Sequence, residues 1–172
     1  MQKKTIFAIT FFLLSLILLV SFQIGNPVPG GNKFHLPEPR DVEVNGVNFT
    51  ISWGFLEDEN SSDATYDDRI LNHDATKAQR TFHQNDILLL DIAVYDGNGN
   101  PFTSDDLDKL NGGSYEIRSI NGIEGIFKNE SVETHSGFVK NNHQRYHFTY
   151  IKNGKLVMIQ CDKLNTIDEI VK

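Results

Sequence analysis

The chain has little that staples or reacts. Its 172 residues contain one cysteine, Cys161, so no disulfide can form within it. That cysteine lies in an apolar strand pattern, Leu156-Val157-Met158-Ile159-Gln160-Cys161, and reads as a buried, inert thiol. Proline is scarce: four of the five fall between residues 25 and 40, leaving the rest of the chain free to form continuous elements. No G-x-S-x-G elbow, P-loop or HExxH occurs. The six histidines form no cluster with metal-ligand spacing. His143 and His147 are four apart, which would bring them together on a helix, but Arg145–Ile151 reads as a strand, where that spacing is about 13 Å. These absences exclude the commonest hydrolase, nucleotidase and zinc-enzyme signatures.

Charge is absent from residues 5–24, an apolar run that follows Lys3 and Lys4. A helix of about 20 residues crosses a bilayer core. The run reads as an uncleaved anchor, with a cleaved signal peptide as the alternative. The two lysines on its N-terminal side place the N-terminus in the cytoplasm and the remainder outside, at the cell membrane. Residues 25–40 then form a Pro/Gly-rich linker, and 41–172 one domain. Beyond residue 24, 14 Lys and Arg stand against 23 Asp and Glu, a formal charge of −9 that argues against a nucleic-acid partner.

What is present is turn chemistry. Val42–Val44 and Val47–Ile51 flank Asn45-Gly46, Ile117–Ile120 and Ile123–Phe127 flank Asn121-Gly122, and Tyr146–Ile151 and Leu156–Cys161 flank Asn153-Gly154. Asn-Gly accepts positive φ at both positions, as a type I′ turn requires, so three hairpins are expected. Ala78–His83 and Ile87–Tyr95 give a fourth pair, the latter with an apolar run suited to a central strand. Two short helices are expected. Ser104–Leu110 has Thr103 as N-cap and Asp106 three residues on; Leu164–Val171 carries a capping box of Thr166 and Glu169. The acidic segment Leu56–Asp74 reads as a surface loop. The expected class is α+β: an antiparallel sheet of hairpins with helices packed on it.

The stretch Asn45-Gly46-Val47-Asn48-Phe49-Thr50-Ile51, the pair Ile120-Asn121-Gly122-Ile123-Glu124-Gly125, the hairpin Phe148–Val157 and the closing Ile167–Lys172 resemble small extracytoplasmic proteins of methanogenic archaea. Those are in turn similar to the PsbP-like fold. The resemblance covers residues 41–172 and implies an α/β/α sandwich preceded by one transmembrane helix. It also implies a non-enzymatic binding or assembly role, an associational warrant only.

Candidate sites follow from residue type. Asp96, Asn98 and Asn100 place oxygens at alternate positions, as the start of a calcium loop does. Pro101 and Leu107 then stand where an EF-hand needs Gly and Glu. Trp53 and Phe55 form an apolar cluster that would anchor a protein or cell-envelope partner. Asn48, Asn60 and Asn129 begin glycosylation sequons, with Asn60 and Asn129 the better placed. The expected function is a non-catalytic binding or assembly module at the cell surface. A calcium- or ligand-dependent sensor is the alternative, and a secreted hydrolase the third reading.

Overall fold

The structure, a computed structural model, describes residues 36–172 apart from 60, 85–87, 112–114 and 137–138. In chain order the elements are β1 (Arg40–Val44), β2 (Val47–Ile51), β3 (Leu56–Glu57), β4 (Ser62–Ile70), β5 (His73–Gln84), β6 (Leu88–Asp96), α1 (Ser104–Asn111), β7 (Glu116–Ile120), β8 (Ile123–Ser136), β9 (Val139–Lys152), β10 (Lys155–Cys161) and α2 (Leu164–Ile170). The three Asn-Gly turns are where the sequence places them. Asn45 and Gly46 have φ of 46° and 76°, Asn121 and Gly122 of 51° and 82°, and Asn153 and Gly154 of 55° and 75°. Each closes a two-residue hairpin: Val44 faces Val47, Ile120 faces Ile123, and Lys152 faces Lys155.

The strands form two antiparallel sheets. β1 and β2 pair only with each other; the other eight run in the order β3-β5-β6-β10-β9-β8-β7, with β4 sharing the outer edge of β5 with β3. Side chains alternate between faces along each strand. On the first face, Ala78 and Phe82 of β5, Leu90, Ile92 and Val94 of β6, Val157, Ile159 and Cys161 of β10, and Phe148 and Tyr150 of β9 are all buried. The β1–β2 hairpin covers them with Val42, Val44, Val47, Phe49 and Ile51, and α2 adds Ile167 and Ile170. Each fully buried aliphatic or aromatic side chain stabilises the fold by about 1.5–3 kcal/mol, so this layer carries most of the stability.

The second face has a smaller core. Ala75, Ala93, Tyr95, Phe102 and Leu156 are buried there, with Leu107 and Leu110 of α1 packed against them. Asp106 anchors the start of α1. It accepts from the Thr103 backbone N–H at 2.9 Å, the Thr103 hydroxyl at 3.1 Å and Lys109 at 2.9 Å. His73 stacks on Phe102 at 4.5 Å, and its Nε2 lies 3.4 Å from the Asp106 carboxylate. The expected N-cap at Thr103 is thus in place. At α2 the helix begins at Leu164, and its N-cap Lys163 makes no side-chain cap bond. Thr166 lies in the first turn, and Glu169 accepts instead from the Ser52 hydroxyl.

Two expectations are corrected. The described chain is mostly β rather than an α+β or α/β/α sandwich. With β3 and β4 sharing one edge, the sheet is seven strands across and about 29 Å wide, whereas a helix rises about 1.5 Å per residue. With 8 and 7 residues, α1 and α2 can cover only corners of it. The layer assigned to helices is supplied by the two-stranded sheet. Secondly, no helix among the described residues is long and apolar enough to cross a membrane. The expected anchor at 1–24, and the linker as far as residue 35, lie outside the described residues. The single-pass membrane placement with an extracytoplasmic domain loses its structural basis and is set aside.

The segment Leu56–Asp74, expected as a loop, forms β3 and β4 instead. Leu71 and Asn72 turn the chain at φ of 53° and 67°, and Ile70 faces His73 across a fifth hairpin. Asp67 and Arg69 are exposed on this edge strand, where charge discourages pairing with another chain.

Tyr150 is fully buried on the first face, and its hydroxyl has no hydrogen-bond partner among the described residues. Burial alone pushes that hydroxyl's pKa well above the ordinary value. An unsatisfied buried hydroxyl costs about 1–3 kcal/mol. Tyr150→Phe is therefore expected to raise the urea midpoint, by about 1 kcal/mol of unfolding free energy with the m-value unchanged. A lowered midpoint would show that the hydroxyl is bonded after all.

Candidate functional site

The part of the second face that α1 leaves open is a cleft of about 350 Å³. Strand registers define its floor. Gln79 on β5 faces Ala93 on β6, Ala93 faces Met158 on β10, Met158 faces Thr149 on β9, and Thr149 faces Ile126 on β8. The next row on the same face is polar throughout: Thr81, Asp91, Gln160, His147 and Lys128. Five strands at about 4.8 Å make that row about 19 Å long. Leu110 of α1 and Tyr115 form a wall, and Lys77 with Tyr95 closes one end.

The charged groups differ in how they are held. At the β8–β9 end, Lys128 lies 2.6 Å and His147 3.0 Å from the two oxygens of Glu130. Lys128 first, then His147, hold the Glu130 carboxyl below its usual range. This cluster is internally neutralised. Asp91, at the β6 end, accepts from the Gln79 amide at 2.7 Å and the Thr81 hydroxyl at 2.9 Å. Both donors are neutral, and no cation pairs with Asp91 among the described residues. Lys77 is held 5.5 Å from the ring centroids of both Tyr66 and Tyr95, with no carboxylate partner among the described residues. The cleft therefore presents one anion and one cation that the fold does not cancel.

A base–orienter pair, His147 with Glu130, is present without a nucleophile beside it. Thr149, the nearest hydroxyl on the same strand face, stands two residues along β9, about 7 Å away. Cys161 points into the opposite core, where burial pushes its thiol pKa up. His143 and His147 both lie on β9, as the strand reading requires, and each has its own carboxylate. His143 lies 3.5 Å from Asp162, a carboxylate that also holds Arg145 at 2.9 Å.

The residues singled out from sequence lie elsewhere. Trp53 is 56% exposed on a turn beside a second groove that includes Pro39, Leu164 and Glu169. Phe55, two residues on, is buried at 3% in the main core, so the pair does not form one surface patch. Asp96, Asn98 and Asn100 do share a turn, and each side chain has a partner. The Lys155 ammonium lies 2.8 Å from Asp96, which also accepts from the Asn98 N–H at 3.1 Å. Asn98 accepts from the Thr76 hydroxyl at 3.4 Å, and the Asn100 side-chain amide lies 3.2 Å from His73 Nδ1. Among the described residues no group of three or more His, Cys, Asp or Glu could hold a metal. Asn129 is exposed on β8 and Asn48 on β2; Asn60 lies outside the described residues.

Lys77, Gln79, Asp91, Gln160 and Met158 were not singled out from sequence. One signal was available: Asp91 interrupts the apolar run Ile87–Ala93. A carboxylate there marks the point at which one face of the strand turns polar. No protein-family model, curated protein or solved structure matches the chain.

Proposed function

We propose that the protein is a non-catalytic binding module whose ligand site is the cleft on the second face of the large sheet. The observation that carries this reading is the pair of uncancelled charges, Asp91 and Lys77, at the borders of a part-apolar floor. Ligand sites are concave, mostly apolar, and fitted with a few placed polar groups. Catalysis is disfavoured because, among the described residues, no hydroxyl or thiol is hydrogen-bonded to the His147–Glu130 pair in the cleft. A second reading, docking of a protein partner on Trp53, is favoured by the exposure of that ring on a turn whose backbone is tied down. Gln84 donates to the Trp53 carbonyl at 3.2 Å, and the Gly54 N–H to the Pro37 carbonyl at 3.0 Å.

The cleft reading is tested with a thermal-shift screen of small polar ligands against wild type and Met158→Trp, which fills the floor. A ligand at 100 times its Kd stabilises the native state by about 2.7 kcal/mol. Hits are expected to shift wild type, to leave Met158→Trp unshifted, and to be recovered chemically unchanged. Hits that shift both proteins equally would move the site away from the cleft, and hits that are consumed would make it an active site.

A further inference from the structure

The two uncancelled charges also define what the cleft is shaped to hold, an inference that rests on the cleft being the ligand site. Lys77 faces Tyr95 across the β5–β6 pair, and Asp91 lies four residues from Tyr95 along β6. At about 3.3 Å per residue and 4.8 Å between strands, their Cα atoms are about 14 Å apart. Side chains stand roughly perpendicular to a sheet, so the charged ends are separated by a similar distance to within a few ångströms. Between them the floor is Ala93, whose small side chain leaves room, flanked by Gln79 and Met158. Gln160 and Thr149 add side-chain donors and acceptors along one side.

We infer that the cleft binds a short zwitterionic peptide of about three residues, its ammonium on Asp91 and its carboxylate on Lys77, lying over Ala93 along β5 and β6. An extended tripeptide separates its terminal charges by about 9–10 Å, and a charge-assisted hydrogen bond of about 2.8 Å at each end brings the span to about 15 Å. A dipeptide reaches about 12 Å and a tetrapeptide about 18–19 Å, so peptides of about two to four residues bracket the span once the reach of the two side chains is included. Gln79 already bonds Asp91 and fixes its carboxylate. The two tyrosine rings hold the Lys77 ammonium without neutralising it. The ligand's backbone amides meet Gln160, which faces Asp91 on β10, and its side chains meet Met158.

Calorimetric titration of the protein with trialanine, N-acetyl-trialanine and trialanine amide tests this. Trialanine is expected to bind, and capping either end to weaken binding about tenfold to a hundredfold, the worth of a hydrogen bond to a charged group. Asp91→Asn is expected to lose the same factor for trialanine but to be indifferent to N-acetylation, and Lys77→Met to be indifferent to amidation. Equal binding of capped and free peptides would overturn the inference, as would failure of every peptide of two to five residues. If peptides fail while other ligands still bind wild type and not Met158→Trp, the peptide inference falls and the cleft reading stands. If no ligand distinguishes Met158→Trp from wild type, both fall.

Discussion

Phe82→Ala is expected to lower the unfolding free energy by about 4 kcal/mol, within the range of about 3–5 kcal/mol for a buried Phe truncated to Ala. Phe82 is fully buried on the first face of the large sheet, and the Arg40 guanidinium of β1 lies 5.7 Å from its ring centroid. Its loss therefore opens a cavity where the small sheet rests on the large one. The neighbouring Thr81→Ala, on the other face, removes one hydrogen bond to Asp91 and should cost about 1 kcal/mol. Urea unfolding of the two variants separates the layers. Comparable losses would mean that the hairpin does not bury the first face.

Asp106→Ala is expected to cost about 3 kcal/mol at neutral pH. The carboxylate is 3% exposed, and removing it deletes four contacts that tie the start of α1 to Thr103, Lys109 and His73. Its effect depends on pH in a defined direction. The Lys109 ammonium, then the Thr103 N–H and hydroxyl and His73, outweigh burial and hold the carboxyl far below the usual carboxylate range. The unfolded chain takes up that proton first as pH falls. The stabilisation is therefore complete above the unfolded pKa of about 3.9 and shrinks as pH falls below it. Urea titrations at pH 7 and pH 3 should show a smaller gap between wild type and variant at the lower pH. A gap that widened on acidification would contradict the assigned role of Asp106.

Local chemistry was legible in the chain; non-local assembly was not. Asn45-Gly46, Asn121-Gly122 and Asn153-Gly154 specify their turns by backbone preference alone, and all three hairpins form. The turn at Leu71-Asn72 carries no such mark, because a leucine rarely adopts positive φ. The strand before it is an acidic edge strand with no alternating apolar face, so Leu56–Asp74 looked like a loop. The overestimate of helix has a similar origin. Capping residues announce that a helix starts at Thr103, but not that two short helices are too small to cover eight strands. That depends on which apolar face the β1–β2 hairpin meets. The cleft was least legible. Lys77 and Asp91 are fourteen residues apart in sequence and become opposite ends of one site only through the β5–β6 register. Trp53 and Phe55, two residues apart and both aromatic, drew attention by composition, although the turn at Trp53-Gly54, with Gly54 at φ of 81°, leaves the first outside and sends Phe55 inward.

The most direct measurement is chemical-shift mapping of the isotopically labelled protein with hits from the ligand screen. Perturbed amides are expected to concentrate at Gln79, Asp91, Ala93, Thr149, Met158 and Gln160, with the turn at Trp53 unmoved. Perturbations centred on Trp53, Leu164 and Glu169, with the cleft silent, would contradict the account and make the exposed tryptophan the recognition element.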